Sequence, residues 1–329
     1  MKAIKMKNNT FEEIAEQINS AESLILYPHV NMDGDTLGSC AALCHSLRSI
    51  GKECWVLYEG SVPLNLKFMT GDMFTEDENV IESADISMCI DCGDTGRLGV
   101  RKDKFLTSPV TICIDHHTTT DPFCQFNYID PQAAATGQLI FLLLKTMNIK
   151  IDKQAGEAIF AAITTDTGNF QYTNTSKETH LITAALYDSG IDFNSVSVQI
   201  YENKRKEKIL ITSRSLETLK MVSEGRGGIA RVTQAMLEET GAEMSETDGI
   251  VEEIRCIAGV EISCLLKEDD ENVVKVSMRV KNKGNVAEIA AKYNGGGHVK
   301  AAGFTLNMSM DEAFDTVSAE IIENIRKYG

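Results

Sequence analysis

A two-domain α/β fold is what the 329-residue sequence predicts, on three observations. From residue 10 to about 190, short apolar runs alternate with helical patterns, as in a parallel sheet with helical crossovers. Those runs are continuously apolar, as strands covered by helices on both faces must be. Near residue 226 the chain changes character to a separate, smaller set of strands and helices, and a chain of this length suits two cores rather than one.

The first twenty residues are polar and helical in pattern, with a Thr10-x-x-Glu13 capping box and no apolar stretch of the kind that opens a signal peptide. "SLILYPH" follows as a strand, then a helix from Asp35 to Ile50 stopped by Gly51. "ECWVLY", "ISMCID" and "VTICID" are the next strands, and "ATGQLIFLLLKTMN" and "KQAGEAIFAAITTD" are buried helices. Residues 203 to 224 form a charged helical stretch, expected as a solvated connector. Beyond it, "GGIARVT", "GVEISCLLKE" and "NVVKVSMRV" are strands. "DGIVEEIRCIA", "VAEIAAKY" and the segment from Met310 are helices. The expected division is a first domain over 1–190, a helical connector over 191–225 and a second domain over 226–329.

Composition narrows the function. The formal charge is −16, with no lysine- or arginine-rich run, so a long nucleic-acid duplex would meet a repulsive surface and any nucleotide partner should be short. No apolar run approaches the length of a membrane span, and the nine cysteines follow no paired spacing, which suits reduced core thiols in a cytoplasmic protein. Cys89 and Cys92 form a CxxC without a second such pair, so they too are expected in the core.

Four acidic clusters stand at predicted element ends: His29, Asp33 and Asp35 in "YPHVNMDGD"; Asp91 in "CIDCGD"; Asp115, His116 and His117 in "CIDHH"; and Asp166 in "ITTDTG". In an open parallel sheet the carboxyl ends of the strands share one rim, so these residues can converge there. Two carboxylates at 4 Å repel by about 4 kcal/mol at an effective dielectric of 20. Such a cluster must therefore bind protons or cations. Imidazoles and carboxylates without thiolates favour Mn²⁺, Mg²⁺ or Co²⁺, in number enough for two ions. Taken singly, Asp33-Gly34-Asp35 would be only a turn and a helix cap.

These motifs, taken in order with "NGGGHVKAAGF" at 294–304, resemble the DHH phosphoesterases, in particular the DHH/DHHA1 subfamily of oligoribonuclease and phosphoadenosine-phosphate (pAp) phosphatase type. The resemblance covers nearly the whole chain. It implies a parallel-sheet DHH catalytic domain, a smaller α/β DHHA1 domain that binds substrate, and an active site in the cleft between them. It also implies that His29, Asp33 and Asp91 hold one metal. Asp35, Asp91, His116 and Asp166 would hold the second, with Asp91 bridging. Asp115 would orient His116 from behind, and His117 would face the substrate phosphate. Arg279 would clamp phosphate, as would Gly295, Gly296 and Gly297 through their N–H groups, with His298 beside them. Gln138 stands where the family often has an acidic residue.

What the resemblance implies is two-metal hydrolysis of a phosphate ester, with Asp91, His116 and His117 at the reacting centre. Substrates of such relatives are short RNAs, pAp, and linear or cyclic dinucleotides. A soluble dinucleotide phosphodiesterase is one alternative, and a nucleotide sensor that has lost catalysis another, although none of the implied ligands is replaced. An inorganic pyrophosphatase is disfavoured by the "GGGH" sequence. The α/β surface is compatible with a homodimer.

Overall fold

The computed structural model describes residues 8–329, so the reading of residues 1–7 lies outside the described residues. The chain divides into two compact units, the first ending at Asn203 and the second running over Lys204–Gly329.

The first unit is built on six parallel strands: β1 (Ser23–Pro28), β2 (Glu53–Leu57), β3 (Phe74–Thr75), β4 (Ile86–Ile90), β5 (Val110–Asp115) and β6 (Phe126–Ile129). Their order is β3-β2-β1-β4-β5-β6, so the connection reverses direction between β1 and β4. Ligands of open α/β sheets bind outside the carboxyl ends of the strands at such a reversal. β3 and β6, of two and four residues, are additions to the strands expected from the sequence.

Helices α1 (Phe11–Ser20), α2 (Gly34–Ser49), α3 (Lys102–Phe105), α4 (Thr136–Thr146), α5 (Lys153–Asp166), α6 (Lys177–Leu186) and α7 (Phe193–Ser197) complete this unit. The capping box at Thr10 and Glu13 opens α1, and the chain leaves α2 through Gly51 at φ 86°. α2 lies directly against α5. A Cβ at Gly38 would run into the carbonyl oxygen of Ala158, and one at Gly34 into Thr165, so these glycines permit the close approach. The core joins Leu24, Leu26, Leu43, Met88, Ile114, Leu139 and Ile159. Cys89 and Cys92 are fully buried in a smaller cluster with Tyr27 and Phe105, as core thiols.

The second unit begins with α8 (Lys206–Leu216). It continues through β7 (Lys220–Val222), β8 (Gly227–Val232), α9 (Gln234–Thr240), α10 (Ile250–Cys256), β9 (Ile262–Asp270), β10 (Val273–Val280), α11 (Val286–Lys292), β11 (Gly296–His298), β12 (Ala301–Asn307) and α12 (Met310–Tyr328). Its mixed sheet has the order β11-β12-β10-β9-β8-β7, with β8 and β9 parallel and the other pairs antiparallel. The stretch expected as a solvated connector is shorter and partly packed. α8 ends at Leu216, and Ile211 is fully buried among Ile250, Ile254 and Val232. Among the described residues no helix is long and apolar enough to cross a membrane.

Candidate metal centre

The carboxyl ends of β1, β4 and β5 place the first donors. His29 follows β1 directly, Asp91 follows β4, and Asp115 ends β5 with His116 and His117 behind it. Asp33 caps α2, Asp35 lies in its first turn, and Asp166 is the last residue of α5.

Asp33 divides its oxygens. Oδ1 accepts the N–H groups of Asp35 (3.1 Å) and Thr36 (3.0 Å), while Oδ2 lies 3.6 Å from His29 Nε2. The helix-cap role that this motif has on its own is therefore present, and one oxygen remains for a ligand. Asp91 also divides its oxygens: Oδ2 is 3.7 Å from His29 Nε2 and Oδ1 is 3.7 Å from His116 Nε2. Its backbone sits at φ 58°, in the left-handed region that non-glycine residues seldom adopt. Such a conformation at a strand end commonly marks a functional position.

His116 Nε2 faces three carboxylates, Asp35 at 3.6 Å and Asp91 and Asp166 at 3.7 Å. These separations are too long for hydrogen bonds. Two atoms each about 2.1 Å from a common ion lie about 3.0 to 3.6 Å apart, depending on the angle between them. The donors fall into three overlapping groups: His29, Asp33, Asp91; Asp35, His116, Asp166; and Asp91, His116, His117.

Two of the imidazoles are fixed with a free nitrogen toward the centre. His29 Nδ1 donates to the Val30 carbonyl (2.6 Å) and His116 Nδ1 to the Ala133 carbonyl (3.2 Å), which turns each Nε2 lone pair into the centre. His29 Nε2 is buried with no hydrogen-bond partner, a costly state for a polar atom that a cation would relieve. Asp35 is almost fully buried. Its oxygens accept the N–H groups of Thr136 (2.7 Å) and Gly137 (2.9 Å) at the start of α4, and the Ser39 hydroxyl (3.1 Å). The positive end of the helix thus steadies its charge.

Asp115 differs from the expectation. Its Oδ1 accepts His117 Nδ1–H at 2.7 Å and the backbone N–H groups of His116 (2.8 Å) and His117 (3.2 Å), while Thr120 donates its hydroxyl to Oδ2. The ring it orients is that of His117. The His116 ring is oriented by the Ala133 carbonyl, and the two rings stay neighbours, 4.7 Å between centroids.

Without cations Asp35, Asp91, Asp166 and the three imidazoles are pulled toward holding a proton, whereas for Asp33 burial is outweighed by the closeness and charge of His29, which hold its carboxyl below the usual carboxylate range. Burial, then repulsion from Asp166 and Asp33, outweighs the attraction of His116 and pushes the Asp35 carboxyl up to about 7. Burial and the charges of Asp35 and Asp33 likewise push Asp91 up to about 7. Asp166 is pushed up to about 6, by burial first and then by Asp91. Burial pulls His116 down, but Asp35, Asp166 and Asp91 outweigh it and raise its pKa. The bond to Asp115 raises His117 to about 9. Donors that are short of positive charge and free of thiolate fit hard divalent ions.

Gln138 takes no part in this centre. Buried in α4, its Oε1 accepts the Ala134 N–H (3.4 Å) and the Thr179 hydroxyl (3.3 Å). His45 bonds Asp152 and His180 stacks on Phe170, both away from the donor groups. Sequence reasoning missed Thr136, whose hydroxyl donates to Asp91 Oδ1 at 2.8 Å, and Asn174, whose amide donates to Asp166 Oδ2 at 3.3 Å. A threonine opening the apolar helix "TGQLIFLLL" was the one available signal; Asn174 carried none.

In the second unit Arg279 lies on β10, its Nε held by Glu252 at 2.8 Å and its Nη1 by the Met278 carbonyl at 3.0 Å. It pairs across the sheet with Ala301, which pairs with His298 on β11, so the three share one row. Three strands wide, that row spans about 10 Å. In the neighbouring glycine run, a Cβ at Gly295 would meet the Gly303 carbonyl. Gly297 has φ 136°, and Gly296 faces open space.

Residues 23–163 match the family profile described as DHH family, N-terminal domain, and residues 227–327 match the DHHA1 domain. A bifunctional oligoribonuclease and PAP phosphatase NrnA of Thermus thermophilus is 30% identical over 96% of this chain and 94% of that protein. The protein of the same description in Bacillus subtilis is 26% identical over 94% of this chain and 96% of its own length. Among solved structures, an exopolyphosphatase-related protein from Bacteroides fragilis is similar at 27% identity and a TM-score of 0.88, over 95% of this chain and 96% of that one.

Proposed function

We propose, for a chain that belongs to the DHH family of metal-dependent phosphoesterases and carries a DHHA1 domain, that it hydrolyses short oligoribonucleotides to mononucleotides and pAp to AMP. The observation that carries this reading is Asp91, whose two oxygens face two different imidazoles, His29 and His116. A carboxylate so placed suits a bridge between two ions.

His29, Asp33 and Asp91 would hold one divalent cation and Asp35, Asp91, His116 and Asp166 the other, with Mn²⁺ favoured by the mixed nitrogen and oxygen donors. Cations held there lower the pKa of water and offset the charge that gathers on phosphoryl oxygens. Thr136 fixes Asp91, and the start of α4 fixes Asp35, so neither carboxylate must reorganise. His117, kept protonated by Asp115, donates from its free nitrogen to a phosphate oxygen. Arg279, the N–H groups of Gly295 to Gly297 and His298 grip a substrate phosphate, the bond to Glu252 presetting the arginine.

Chromatography of products from Mn²⁺-loaded protein incubated with pAp, pApA, a five-nucleotide RNA and cyclic di-AMP tests the reading. Mononucleotides from the short RNAs and AMP from pAp are expected. Turnover of cyclic di-AMP alone would make the protein a cyclic-dinucleotide phosphodiesterase instead, and no product from any of the four would overturn the assignment.

A further inference from the structure

Arg97 has no role in the centre as described so far, yet its backbone is tied to it. It lies six residues after Asp91, in a turn capped by Asp94, whose Oδ1 accepts the N–H groups of Gly96 (2.6 Å) and Arg97 (3.3 Å). Its carbonyl accepts the N–H of Val30 at 2.8 Å, the residue directly after His29. The turn is therefore fastened to both loops that supply donors to the first ion.

The side chain is half-buried and makes no hydrogen bond or ion pair among the described residues. Arg101, four residues on, is partnered: its guanidinium donates to the Leu98 and Leu57 carbonyls and lies 3.6 Å from Glu59, although its Nη2 is buried without a partner. Arg97 has no such partner, and its charge is felt weakly at His29 and His117, where it disfavours the protonated form. A half-buried guanidinium with no protein partner keeps its donors available, and an arriving anion would use them. The planar fork matches two oxygens of a phosphate.

We propose that Arg97 is a catalytic residue that donates its guanidinium fork to the phosphoryl oxygens of the ester bound at the metal centre. The role deepens the phosphoesterase reading and rests on it. It also gives the first unit its own phosphate grip beside the cations, separate from Arg279.

The test compares wild type, Arg97→Ala and Arg97→Lys as full-length, Mn²⁺-loaded protein. Binding of inorganic phosphate, hydrolysis of pAp, Mn²⁺ affinity and the thermal midpoint are measured for each. Arg97→Ala is expected to weaken phosphate binding about tenfold or more and to lower kcat by about 10²-fold or more. Added guanidinium ion should restore part of the rate. Arg97→Lys, with charge but no fork, should fall between the two, while Mn²⁺ affinity and thermal midpoint stay at the wild-type values. Phosphate binding and turnover of Arg97→Ala within threefold of wild type would overturn the proposal. So would an equal loss of Mn²⁺ affinity, which would make Arg97 a residue that positions the metal loops, and so would failure of wild type to bind phosphate. If wild type binds phosphate through Arg97 but hydrolyses neither pAp nor short RNA, the substrate assignment falls and the role of Arg97 stands.

Discussion

Asp91 concentrates the chemistry of the centre in one side chain. Asp91→Asn keeps the size and the left-handed backbone but removes the charge that faces His29 and His116. Hydrolysis should fall by about 10³-fold or more, as expected when charge stabilisation at the reacting centre is lost. A Mn²⁺-loaded Asp91→Asn variant with near wild-type turnover would remove Asp91 from the mechanism. His117 offers a second test. Its folded pKa is raised to about 9 by Asp115, so the stability it contributes is fully present below the ordinary histidine value and is lost as pH rises through about 9. In the metal-free protein, NMR should find the His117 ring titrating near 9 in wild type and well below that in Asp115→Asn. An unchanged midpoint would show that another group holds the proton. At this scale the candidate donors were legible because His29, Asp91 and the Asp115-His116-His117 run end apolar strands abruptly, while Asp33, Asp35 and Asp166 stand at helix ends. The Ala133 carbonyl and Asn174 were not legible, since a backbone acceptor has no sequence signature and Asn174 reaches Asp166 from a loop.

The elements bring these side chains together through the packing of α2 against α5. Asp33 and Asp35 open α2 and Asp166 closes α5, so the distance between the two helices sets the distance between donors of the centre. Gly38 permits that distance. Gly38→Ala should cost about 1 to 3 kcal/mol through overpacking against the Ala158 carbonyl, read as a lower denaturation midpoint. Weaker Mn²⁺ binding should accompany it, because the helices that carry Asp35 and Asp166 are pushed apart. A variant as stable as wild type would show that α2 and α5 separate without strain. The long strands and buried helices were readable from apolar runs and helical period, but β3 and β6 were too short for either pattern to register. The charged stretch after residue 203 misled for a different reason. Its polar majority hides Ile211, which anchors α8 in the second unit's core.

For the whole molecule the centre makes stability depend on pH and metal together. In the metal-free fold Asp35 and Asp91 keep protons up to about pH 7 and Asp166 to about 6, whereas an unfolded chain releases them near pH 4. Between those values the folded state binds more protons, so stability falls as pH rises. Cations replace the protons, and their stabilising effect should therefore grow with pH. Calorimetric midpoints with and without Mn²⁺ should differ little at pH 5 and widely at pH 8, and an equal difference at both would contradict the burial of these carboxylates.

The most direct test of the central claim is titration of the metal-free protein with Mn²⁺ by calorimetry at pH 7, with the number of bound ions and the protons released read together. Two ions per chain, accompanied by proton release, is the predicted result. One ion or none, or two ions bound without proton release, would contradict a centre in which buried carboxylates exchange protons for a pair of cations.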